Sequence, residues 1–98
     1  MRTLLPLALA VSGLHAAAIR GTVVEGATGK PLARALVVLE PVRGTEAQAA
    51  RMRTSSFGTF EFSALPPGAY LITASRDGFA PVHYGQKHWG AAGRPLRL

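Results

Sequence analysis

TSSFGTFEFSALPPGAYLITASRDGF, residues 54–79, is the stretch on which the reading of this chain turns. Phe60 and Phe62 alternate with Thr59, Glu61 and Ser63, so one face is aromatic and the other wet, the period of two of a β-strand. Leu65-Pro66-Pro67-Gly68 ends that strand, because two prolines fix φ and remove two backbone donors while glycine accepts positive φ. Tyr70, Ile72 and Ala74 resume the alternation, with Leu71, Thr73 and Ser75 opposite. Arg76-Asp77-Gly78 closes the stretch with the Asp-Gly pair favoured in hairpin turns. The stretch reads as a β-hairpin with a stiff corner, scaffold rather than active site.

Outward from it, the same signals repeat. Residues 19–25 form a strand with Ile19, Gly21 and Val23 on one face, ended by the turn cluster of residues 26–31. Leu32 tucks under the edge. Residues 34–42 are the most apolar strand, Ala35, Val37 and Leu39 facing one way and Leu36, Val38 and Glu40 the other; Pro41 limits pairing near its end. Residues 43–50 have helix-friendly composition but too little length for a stable helix, and read as a mobile loop. Residues 51–54 are a short strand, residues 55–58 a turn, and residues 79–84 a last strand bent at Pro81. The predicted core is Val23, Val37, Leu39, Phe60, Phe62, Tyr70, Ile72 and Phe79, with Phe57 a further candidate. Six or seven short strands between turn signals predict an all-β sandwich.

Residues 1–18 are a different kind of sequence. Arg2 gives a positive start, residues 4–14 an apolar run, and Ala16-Ala17-Ala18 an A-x-A cleavage site, the plan of a helical signal peptide cut before Ile19. The run is too short to span a bilayer as a helix, so no transmembrane segment is expected. The chain has no cysteine, which excludes disulfides, thiolate metal sites and a lipid-modified junction. The mature part is expected to be secreted or periplasmic. Losing Arg2 with the leader leaves ten lysines and arginines against five acids, a net charge of +5. These basic residues are scattered, and export argues against a nucleic-acid partner; weak attraction to anionic glycans or membrane surfaces fits better, and an ordinary solvated surface fits best.

The segments IRGTVVEGATGKPLARALVVLE and TSSFGTFEFSALPPGAYLITASRDGF resemble the carboxypeptidase regulatory-like domain. The matching pattern is G-x-V, G-x-P-L-x-x-A-x-V-x-L, T-x-x-x-G-x-F-x-F, L-P-P-G-x-Y and G-F, running from Ile19 to about Tyr84. The resemblance implies a seven-stranded, transthyretin-like Greek-key sandwich, also grouped with carbohydrate-binding-like folds. It further implies an accessory role beside peptidases, outer-membrane receptors or surface proteins, without peptidase chemistry. The expected organisation is a leader (residues 1–18), the sandwich (19–84) and a Gly/Pro-rich strap or truncated linker (85–98).

Chemistry is sparse. Zinc carboxypeptidases need two histidines and a glutamate, two of them commonly in H-x-x-E spacing. Neither His83 nor His88 has a glutamate three residues on, and His15 leaves with the leader. No serine sits in a nucleophile-elbow pattern, no glycine run forms a phosphate loop, and the five acids are too scattered for calcium. No catalytic residue, metal or cofactor is expected. The one cluster with binding character is His83, Tyr84, His88 and Trp89, where aromatic rings beside polar groups make a platform for a sugar. The plainer reading has Trp89 capping an open end of the sandwich. The expected function is a non-catalytic exported β-sandwich module for interaction with a glycan or protein partner or for structural support of surface or secreted assemblies. The alternatives are a carbohydrate-binding module using Tyr84 and Trp89, and an accessory fragment of a larger enzyme or receptor.

Overall fold

The computed structural model describes residues 5–15, 18–84 and 93–98, with the backbone alone for 12–15. These form eight strands and no helix: β1 Leu7–His15, β2 Ala18–Glu25, β3 Leu36–Pro41, β4 Ala50–Arg53, β5 Thr59–Phe62, β6 Ala69–Ser75, β7 Val82–His83 and β8 Leu96–Arg97. Two antiparallel sheets result. One has the order β1-β2-β5; the other has the order β4-β3-β6-β7, with β8 also paired to β6. The fold is the expected all-β sandwich, with eight strands where seven were expected.

Alternation places the core between the sheets. Ile19 and Val23 of β2, Val37 and Leu39 of β3, Phe60 and Phe62 of β5, and Tyr70, Ile72 and Ala74 of β6 are all buried. Their strand neighbours Arg20, Glu40, Glu61 and Leu71 are exposed. Ala35 and Leu32 are buried at the sandwich edge, and Phe79 packs half-buried against the cluster. Phe57 departs from expectation: 75% exposed, it stands at the tip of the turn before β5. Three residues from Phe60, it does not share that strand's inward parity.

The aromatic stretch is not a hairpin. β5 pairs with β2, Ile19 opposite Phe62 and Gly21 opposite Phe60, whereas β6 pairs with β3, Leu39 opposite Ile72. Both strands carry an apolar face, and facing each other across the gap between sheets buries both faces against one another. The di-proline corner carries the chain across, fixed by the Tyr70 hydroxyl, which donates to the Pro66 carbonyl at 2.6 Å. Of residues 43–50, expected as a loop, 43–49 are irregular without a helix and Ala50 opens β4. The loop is tied to the same corner, where Thr45 Oγ1 accepts from Ala69 N at 2.9 Å.

The segment expected as a helical leader is a strand instead. β1 runs antiparallel to β2 from Leu7 opposite Glu25 to His15 opposite Ala18, with a register shift between Val11 and Gly13. Leu7 is buried, and Leu9 and Val11 pack against the core. A leader's apolar run and a strand lying over a core have the same composition, and here unpaired β2 backbone groups are available to the extended form.

The last strand is shorter than read. β7 keeps only Val82–His83, while Phe79 bridges to Leu5. Pro81, which has no N–H to donate, lies between them.

Candidate functional site

β7 and the residue after it carry the first half of the predicted binding cluster, His83 and Tyr84. Thr73 of β6 stands opposite His83, and the His83 Nδ1 lies 3.0 Å from Thr73 Oγ1. His83 is exposed; Tyr84 is half-buried against the core, its N–H donating to the Ile72 carbonyl at 2.9 Å. The chain returns here, with Arg94 N donating to the Tyr84 carbonyl at 2.9 Å and Gly93 so close to His83 that a Cβ would sit 2.7 Å from the histidine's Cβ. β8 then pairs along β6, Tyr70 opposite Leu96. His88 and Trp89 lie outside the described residues, so of the expected cluster only His83 and Tyr84 are placed.

A second feature was not legible as a cluster. Arg34, Arg53 and Arg76, with Asp77, line a cleft of about 410 Å³ at one end of the sandwich. Strand register explains the convergence. Leu36 opens β3 between Arg53 on β4 and Ser75 on β6, so Arg53, the residue after Ser75 and the turn before Leu36 meet at one end. Arg34 holds φ at 59°, a left-handed conformation that costs energy for a residue with a Cβ. The turn is braced around it. Thr54 Oγ1 donates to the Leu32 carbonyl at 2.6 Å and accepts from Ala35 N at 2.9 Å. Arg34 N donates to the Thr54 carbonyl at 3.1 Å, and Arg53 Nη1 donates to the Arg34 carbonyl at 3.1 Å.

Among the described residues the ion pair is Arg20 with Glu61, 2.9 Å apart on the wet face of the β2–β5 pair. The three arginines outnumber the single carboxylate, Asp77, that lines the cleft with them, and guanidinium groups are forked donors suited to carboxylate, sulfate or phosphate oxygens. In sequence they are 19 and 23 positions apart and look like ordinary surface charge. Only pairing β3 with β4 and β6 in register reveals them as neighbours. No group of three His, Asp or Glu side chains gathers among the described residues, and these contain no helix long and apolar enough to cross a membrane.

Two packed antiparallel sheets, with a di-proline corner between them and an arginine-lined cleft at one end, define a β-sandwich module. The family model of the carboxypeptidase regulatory-like domain matches residues 18–95. The chain belongs to that family, whose domains are non-catalytic β-sandwich modules. Comparison with curated proteins and with solved structures returned no match.

Proposed function

We propose that this chain is an exported, non-catalytic sandwich module that makes contacts for a secreted or surface assembly. One coincidence carries the reading. The family match begins at residue 18, the last residue of the Ala16-Ala17-Ala18 junction. The cleavage pattern and the start of the family match, two independent signals, fall within one residue of each other. The module beyond that point offers contact surfaces: a cationic cleft of three arginines and sheet edges that present backbone donors and acceptors. Anionic envelope glycans are the partner class that the cleft's charge suits.

Expression of the full chain in a bacterial host, followed by fractionation, tests the proposal. The protein is expected in the periplasm or medium, while an Ala16→Asp/Ala18→Asp variant stays uncleaved with the membrane or cytoplasm. Full-length wild-type protein confined to the cytoplasm contradicts the reading. A calorimetric panel of glycans and peptidoglycan fragments on the exported protein then separates the partner classes. Saturable binding that is lost in Trp89→Ala assigns a carbohydrate-binding role to the His83–Tyr84–His88–Trp89 cluster. Binding that survives in that variant but falls when Arg53 and Arg76 are replaced assigns the contact to the arginine cleft.

A further inference from the structure

We infer that the outer edge of β2 is a strand acceptor, which takes up an extended segment of a partner polypeptide once the leader has been removed. The inference rests on the export reading above and adds the surface and the kind of partner. β1 lies wholly outside the family match, yet it makes the longest ladder among the described residues, eight paired positions along β2. Cleavage before Ile19 takes all of β1 away. It leaves the outer donors and acceptors of β2 unpaired and uncovers the apolar surface beneath Leu7, Leu9 and Val11. An open edge with an apolar floor favours another strand.

β1 shows what that strand must look like. Leu9 stands opposite Val23 and Val11 opposite Gly21, both on the inward face, whereas Ala8 and Ala10 alternate with them opposite Val24 and Thr22. The edge thus selects large apolar side chains at alternate positions, while the positions between them face outward. Gly21 adds a backbone constraint, since a Cβ there would collide with the Ala10 carbonyl of the seated strand. Close approach at this position is built into the acceptor.

A second folded copy does not fit. Its own β2 would bring Ile19 and Val23, both fully buried in that copy's core and unable to fill the vacated floor. Two mature chains each of net charge +5 also repel. The partner is an extended tail or linker segment of another protein.

The test uses the exported product, its N-terminus fixed by intact mass and its fold by circular dichroism. The probe is a labelled synthetic peptide of residues 5–15 with a solubilising tail, followed by fluorescence anisotropy and amide hydrogen exchange. Saturable binding is expected, with new protection at β2 amides and none at β5. A Leu9→Lys peptide should bind weaker by roughly tenfold or more, since one buried apolar side chain is lost. Cleaved, folded protein that ignores the peptide, or binds both peptides alike, overturns the inference while leaving the export reading intact. A product that dimerises through β2, or that unfolds without β1, also overturns it. An exported product retaining its first eighteen residues refutes the cleavage on which both depend.

Discussion

Gly21 of β2 lies directly opposite Phe60 of β5, and the Phe60 ring fills the space where a Cβ on residue 21 would stand. The aromatic side chain lies over bare backbone, so glycine at this position is a packing requirement. Gly21→Ala should destabilise the sandwich by about 1–3 kcal/mol, because the ring must move in a closed core. Phe60→Ala leaves a cavity instead and should cost about 3–5 kcal/mol. Urea unfolding of the two single variants checks both figures. A double variant destabilised by clearly less than the sum would show that the two positions share one space.

Thr54 is the buried polar side chain of the described core and makes two hydrogen bonds to the turn carrying Arg34. Thr54→Val keeps the shape and leaves Ala35 N and the Leu32 carbonyl without this partner. A loss of about 1–3 kcal/mol is expected, the cost of unsatisfied buried groups. The same unfolding measurement, with hydrogen exchange at Ala35, reads it out. An unchanged midpoint would show that the brace is dispensable.

Phe57 provides the contrast within the aromatic stretch. Exposed at the turn, it should be replaceable: Phe57→Ser is expected to shift stability by no more than about 0.5 kcal/mol. A loss comparable to that of Phe60→Ala would mean that Phe57 is buried in solution.

The arginine cleft should show itself by charge. On a heparin column, an Arg53→Ser/Arg76→Ser variant should elute at clearly lower salt than wild type. A variant lacking Lys30 and Arg43, two cationic residues that do not line the cleft, should shift less. Equal shifts would reduce the cleft to general surface charge.

Much of this architecture is written in local periodicity. Val37 and Leu39, Phe60 and Phe62, and Tyr70 and Ile72 are inward because a strand's side chains alternate, and each pair reads directly from its neighbours. What a strand pairs with is not local. Nothing between Phe62 and Tyr70 states that the two strands belong to different sheets; that follows from the burial of two apolar faces at once. β1 is not legible as a strand because Leu7, Ala8, Leu9, Ala10 and Val11 are all apolar, so alternation between wet and dry is silent there. The arginine cleft needed register, which brings residues 34, 53 and 76 together only when β3 lies between β4 and β6. Of the proposed sugar platform, the sequence supplied the rings, and the described residues place His83 and Tyr84 beside the returning chain at Gly93 and Arg94.

The division of the chain at Ala18 is the claim on which export, the free β2 edge and the partner all depend. Intact mass spectrometry of the full-length gene product recovered from outside the cytoplasm tests it most directly. The account predicts a single species beginning at Ile19, with β1 removed. A recovered protein that still carries residues 1–18 would contradict it and make β1 a permanent strand of the sandwich.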